Sequence, residues 1–169
     1  TQTISAPLGA KALMAGIWAG VFGLVIVAGF LVLWYRLPGL VAVVALAIYV
    51  VIMLALFKFL GVTLTAAGIA GLILSIGMAV DANILIFERI KEEIGWGRPR
   101  SVAIELGFHR AWNSIRDSNI SSLMTAGILF WFGSGSVRGF ALTLIVGILV
   151  SLFSAITVTK FLLNLVYRK

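Results

Sequence analysis

The sequence predicts an all-α integral membrane protein: a bundle of five transmembrane helices with one amphipathic helix on the cytoplasmic side. Three observations carry this. The chain has 169 residues, of which 62% are hydrophobic and 11% charged, a composition outside that of a water-soluble domain. Its charges leave uncharged stretches at 12–35, 37–57, 59–80, 118–137 and 139–159, each long enough for the ~20 residues a helix needs to cross ~30 Å of hydrocarbon. Its lysines and arginines are distributed unequally between alternate loops. Helix is the required form, because lipid offers no partners for backbone polar groups and an open sheet would leave edges.

The elements follow in order within a single transmembrane domain over 1–169. The first span runs from about 11 to 35 and stops at Arg36. Leu37-Pro38-Gly39 starts the second, about 38–60, with proline at an early helical position where its missing N–H is harmless. Gly61 ends it. The third, about 62–90, runs into the charged cluster that begins at Glu88. A cytoplasmic connector over about 91–112 follows, broken by Gly95-Trp96-Gly97-Arg98-Pro99. Within it Ile104, Phe108, Ala111, Trp112 and Ile115 recur at spacings of three and four, one face of an amphipathic helix. That helix lies at the membrane surface, packed under the bundle or presented as a docking surface. The fourth span, about 113–133, has a polar entrance of Asn113, Ser114, Arg116, Asp117, Ser118, Asn119, Ser121, Ser122 and Thr125. Gly133-Ser134-Gly135-Ser136 reads as a tight turn into the fifth, about 138–164.

With the N-terminus outside, Lys11, Lys58 and Arg138 fall on the outer side. The other ten of the 13 basic residues, Arg168 and Lys169 among them, fall in the cytoplasm. That bias sets the orientation and accounts for the net charge of +7. No aromatic-and-basic platform supports nucleic-acid binding. Cysteine is absent, which excludes disulfides and thiolate metal sites. Thr1 reads as a processed or truncated end. No His/Asp/Glu cluster has metal-ligand spacing, no phosphate loop is present, and the lone His109 lies in the cytoplasmic segment, on the opposite side of the membrane from the serines of Gly133-Ser134-Gly135-Ser136. An enzyme is therefore not expected.

Asp81 is the residue that the composition makes conspicuous. It follows an apolar run and precedes Glu88 by seven residues, or ~10 Å of helix rise, which places it inside the hydrocarbon. An aspartate there costs ~3 kcal/mol on insertion scales. Hydrocarbon disfavours the charged form of a carboxyl group, the property a proton carrier needs. The competing reading is a helix-packing hydrogen bond or a carboxylate reaching toward the cytoplasm. Gly68, Gly71 and Gly77 offer close-approach surface on the same span, as small residues do at membrane helix contacts, and would keep Asp81 among helices. Asn83 adds an amide on another face. Asp117, with Asn119 two residues on, is a second polar point. It serves as a helix cap, an ion-pair partner of Arg116 or Arg110, or an inner proton station.

Three stretches resemble the SecD side of the SecD/SecF protein-export family. They are "GIAGLILSIGMAVDANILIFERIKEE" (68–93), "GFHRAWNSIRDSNISSL" (107–123) and "GSVRGFALTLIVGILVSLFSAITVTK" (135–160). "SAPLGAKALMAG" (5–16) is similar to the family's entry into its second helix. The resemblance implies one half of a transporter of the resistance-nodulation-division superfamily, with this chain holding helices two to six. It implies protons as the coupling ion, no cofactor, and the bacterial or archaeal cytoplasmic (inner) membrane as location. The implied partners are SecF, the Sec translocon channel, a translocating preprotein and the lipid bilayer. The family's intramembrane aspartate falls on Asp81, with an arginine supplied by SecF, and its Asp-x-Asn on Asp117 and Asn119. The chain departs from the family at Ala67, where a proline is common, and at Ala6-Pro7-Leu8-Gly9. Two alternatives stand beside proton-driven preprotein translocation: a scaffold without proton conduction, and a proton-coupled small-molecule exporter.

Overall fold

The computed structural model describes residues 6–63 and 65–167, with side chains from residue 11 onward. Thr1, Ser5, Arg168 and Lys169 lie outside the described residues. The element order is α1 (Ala6–Tyr35), α2 (Leu37–Leu60), α3 (Ala66–Gly95), α4 (Arg100–Phe132), α5 (Gly135–Phe153), a π-helical turn (Ser154–Thr159) and α6 (Lys160–Val166). No strand occurs among the described residues.

α3 is the central element, packed chiefly against α5 and α4 and crossed by α1. The α3–α5 seam is closed by small residues. A side chain at Gly71 would run into the Thr143 hydroxyl and the Phe140 carbonyl, and one at Gly147 into Ser75. Gly68 lies against Thr143, its prospective Cβ 3.4 Å from the threonine methyl. The backbones thus approach closely, which is how membrane helices gain dispersion contact without a hydrophobic driving force. The Tyr49 hydroxyl donates to Ser75 Oγ at 2.8 Å, and Ser75 donates to the Leu72 carbonyl at 2.7 Å. This ties α2 to the same seam. The apolar core beneath it is built from Leu46, Tyr49 and Met53 of α2, Ile86 and Phe87 of α3, and Leu163 of α6.

Local signals explain the boundaries. Thr65 accepts from the Gly68 N–H at 3.1 Å and caps α3, so α3 begins four residues later than the hydropathy pattern implied. Gly61, at φ 64, closes α2 in the left-handed conformation that suits glycine. The corner between α1 and α2 is a single residue, Arg36, with φ 53 and ψ −115. Tyr35 fastens that corner by donating to Glu88 at 2.9 Å while its ring lies 5.5 Å from that of Phe87.

Two expectations need correction. The amphipathic connector over 91–112 is not a separate surface helix. α3 continues to Gly95, and α4 runs unbroken from Arg100 through Phe132. The buried positions Ala103, Ile104, Gly107, Phe108, Ala111, Ile115, Asn119 and Ala126 form one continuous face along it. Gly107 sits against the Ile90 backbone, so the stretch before residue 113 packs onto the end of α3. Four helices are long and apolar enough to cross a membrane: Lys11–Tyr35, Leu37–Leu60, Ala66–Gly95 and Gly135–Val166. α4 is different, because its charged first half and apolar second half share one rod. The turn before α5 is also shorter than expected, Gly133 and Ser134 alone. Arg138 donates from Nε to the Phe130 carbonyl at 3.1 Å and from Nη2 to the Trp131 carbonyl at 3.4 Å. It caps the end of α4 with charge suited to a helix C-terminus.

Candidate functional site

Asp81 stands on α3 at the edge of a groove that α4 completes. The groove has a volume of about 170 Å³ and is lined by Met78, Asp81, Ala82 and Leu85 of α3 and by Ile115, Ser118, Asn119 and Ser122 of α4. α4 contributes amide and hydroxyl groups opposite the carboxylate. Their orientation is set within α4: Asn119 Nδ2 donates to the Ile115 carbonyl at 2.7 Å, Ser118 to the same carbonyl at 3.1 Å, and Ser122 to the Ser118 carbonyl at 3.1 Å. Such back-bonding takes up both serine hydroxyl protons and one of the two Asn119 amide hydrogens, so the groove lining keeps three side-chain oxygens as acceptors and a single amide N–H as a donor. A protonated Asp81 would find several acceptors there, whereas a deprotonated one would find only the second amide hydrogen of Asn119 as a donor.

Asp81 itself is exposed on the surface of this chain, against the expectation that close-packed glycines would enclose it. The reason lies at Gly77. Nothing stands within 4 Å of where its side chain would be, so unlike Gly68 and Gly71 it makes no helix contact here. Ala70, Leu74, Gly77 and Asp81, all exposed, form one open stripe on α3 at spacings of three and four. The six ion pairs among the described residues all use other carboxylates.

The other predicted residues separate. Asn83 is buried and points the opposite way, where Thr159 of the π-helical turn donates to its Oδ1 at 2.8 Å. Asn119 joins the Asp81 groove. Asp117 does not line it. It lies mid-helix, far past the start of α4, so it caps nothing. Its side chain is 65% exposed and pairs with Arg116 at 2.9 Å. Arg110, the other partner considered, is engaged by Glu93 at 2.8 Å and Glu92 at 3.3 Å. Glu93 is buried, with Arg98 Nε also 3.0 Å away, and the Arg110 guanidinium lies 4.9 Å from the Trp96 ring centre. This cluster locks the α3–α4 corner. Among the described residues no group of His, Cys, Asp or Glu is placed to hold a metal.

Sequence reasoning missed Ser118 and Ser122 as groove residues and Thr159 as the partner of Asn83. The first two were visible as part of a polar entrance. Thr159 carried no signal, because a threonine in an apolar helix most often bonds its own backbone.

Comparison with known proteins places this arrangement. The model of the family described as protein export membrane protein SecD/SecF, C-terminal, matches residues 1–169. The chain is 55% identical over 170 residues to the protein translocase subunit SecD of Thermobaculum terrenum, covering 98% of this chain and 33% of that one. It is 54% identical over 162 residues to the subunit of the same name from Synechocystis, covering 96% and 34%. The crystal structure of SecDF, a translocon-associated membrane protein from Thermus thermophilus, superposes with a TM-score of 0.91 at 38% identity, over 95% of this chain and 22% of that one. The chain thus spans about a third of the length of the curated relatives it matches. It belongs to the SecD/SecF family of protein export membrane proteins, of which it carries the C-terminal membrane portion.

Proposed function

We propose that this chain is the membrane part of a SecD-type translocase subunit that uses proton flow to promote preprotein translocation. Asp81 is its protonatable switch. The observation that carries the reading is the position of Asp81: a carboxyl group on an open stripe of a membrane helix, edged by the acceptor-rich α4 groove, with no ion-pair partner among the described residues. A second subunit, SecF, covers the stripe and supplies an arginine. Protonation of Asp81 trades that ion pair for a hydrogen bond into the groove and so favours a different packing of α3 against its neighbours. A ligand shifts such an equilibrium only by its differential affinity for the two states, and a proton crossing the whole potential carries ~2.3 kcal/mol per 100 mV. The protein is a transport component, not an enzyme, with protons as its only coupling species. Its further partners are the Sec channel and the preprotein. Asn83 and Asn119 act as supporting polar groups, and Asp117 is at most an accessory relay.

The test is proton-gradient-dependent export by the full-length complex in inverted vesicles. Asp81→Asn keeps size and hydrogen-bonding capacity but cannot exchange a proton. The complex should assemble at normal levels, with export falling to the level seen without a gradient, while Asp81→Glu retains part of the activity. Full gradient dependence in the Asp81→Asn complex would leave only the scaffold reading.

The orientation proposed with this function puts the N-terminus of α1 outside and the α3–α4 corner in the cytoplasm. Single cysteines at Ser134→Cys and Arg98→Cys report it, since the native chain has none. An impermeant reagent applied to intact cells should label the first and spare the second; the reverse pattern inverts the topology.

A further inference from the structure

A second cavity, of about 230 Å³, opens where the α1–α2 corner, the end of α3, the start of α4 and α6 meet. It is separate from the Asp81 groove. Its floor is apolar and buried, formed by Phe87, Ile90, Ile104 and Leu163. Its rim carries two cations, Lys91 and Arg100, and the rings of Trp34, Tyr35 and Tyr167. Arg100 enters no ion pair among the described residues, and its guanidinium lies 5.9 Å from the Tyr167 ring centre. Lys91 stands 3.9 Å from Glu88, a loose pair of side chains 69% and 42% exposed. Glu88 is also taken up by the Tyr35 hydroxyl at 2.9 Å. The rim therefore has positive charge to spare above an apolar floor.

We propose that this cleft binds an anionic phospholipid, its phosphate between Lys91 and Arg100 and its upper methylenes against Ile90 and Ile104. Three features select that occupant. The cleft belongs to a bundle of helices apolar enough to cross a membrane, at a level marked by tryptophan and tyrosine, the residues of the membrane–water interface. Basic pockets between membrane helices suit anionic headgroups. The volume exceeds the about 150 Å³ of a cavity that takes up benzene, so the floor accepts hydrocarbon that a free phosphate ion would leave empty.

The experiment uses the full-length subunit with its partner, equilibrated with mixed phosphatidylglycerol and phosphatidylcholine vesicles, extracted in mild detergent, and examined by native mass spectrometry for retained lipid. The wild-type complex should retain phosphatidylglycerol in preference to phosphatidylcholine. In the Lys91→Gln, Arg100→Gln double variant that retention should fall by roughly a factor of ten or more, the size expected from removing two basic groups near anionic headgroups. The Lys58→Gln, Arg116→Gln double variant removes the same charge elsewhere and should behave as wild type. Unchanged retention in the first variant, equal loss in the second, or equal retention of phosphatidylcholine would each overturn the proposal. Displacement of the lipid by inorganic phosphate alone would assign the rim to a free anion instead.

Discussion

The two faces of α3 differ more than their sequence does. Asp81 and Asn83 are two residues apart, about 200° around a helix, and meet different environments. The Asn83 face is closed: Asn83 is 4% exposed and takes a hydrogen bond from Thr159. Above it Gly71 and Ser75 mesh with Thr143 and Gly147 of α5. The Asp81 face is open: Gly77 and Asp81 are exposed, and only the edge of α4 approaches. A buried polar group with its partner in place makes structure. A carboxyl group left at the surface of an apolar helix makes no ion pair among the described residues. The closed face fixes α3 against α5, and the open face is where the proposed response of α3 to protonation would take place.

The strongest way to break this comparison is to put the same bulky side chain on each face. Gly71→Leu drives an isobutyl group into Thr143 and the Phe140 carbonyl. Overpacking of this kind costs roughly 1–3 kcal/mol, more where backbone is the obstacle. The detergent-solubilised protein should melt at a clearly lower temperature. Gly77→Leu meets open space, so it should leave melting of the chain unchanged while weakening co-purification of the partner proposed to cover the stripe. Equal melting of Gly71→Leu and wild type would mean that the α3–α5 seam is looser than its geometry, and the two faces would not differ in kind.

A smaller effect sharpens the closed side. Thr159→Val keeps shape but removes the donor to Asn83 Oδ1. Hydrogen bonds between membrane helices average ~0.6 kcal/mol and reach ~1.7, and here the acceptor is fully enclosed. A loss of about 1 kcal/mol in denaturant unfolding is expected. Asp81→Asn in the same assay should cost nothing. A Thr159→Val protein as stable as wild type would show that Asn83 finds another donor, most directly by slippage of the π-helical turn, a feature that often marks functional positions in helices.

Much of this was legible in advance, and the failures share a cause. Charge-free runs located α1, α2, α3 and α5 because a bilayer imposes length. The motif around Asp81 led to the family. Which face of α3 is open was not legible, since a helix surrounded by lipid and other helices is apolar all round and loses the periodicity that marks inside from outside in water. Gly68, Gly71 and Gly77 look alike in sequence, yet only the first two meet α5. The continuity of α4 was hidden for the opposite reason. Charged residues on its exposed side suggested a break near 113, while Gly107 and Ala111 pack it unbroken onto α3. Arg138 was read as a topology signal, and it is also the cap on α4.

The smallest effect is expected at Asp117, and it decides how far the open-face reading extends. The resemblance implies that the family's Asp-x-Asn falls on Asp117 and Asn119 together, but only Asn119 lines the groove with Asp81. Asp117 pairs with its sequence neighbour Arg116, both side chains largely in the open at 65% and 48% exposure. Exposed pairs contribute about 0–1 kcal/mol, and adjacent helical residues do not share a face. Asp117→Asn should therefore leave unfolding within about 0.5 kcal/mol of wild type and keep most of the proton-gradient-dependent export that Asp81→Asn loses. Measured side by side in the same vesicles, the two variants separate a single switch from a two-carboxyl relay. If Asp117→Asn abolishes gradient dependence with assembly intact, protons reach Asp81 by way of the exposed side of α4, and the groove is a passage between two titrating groups.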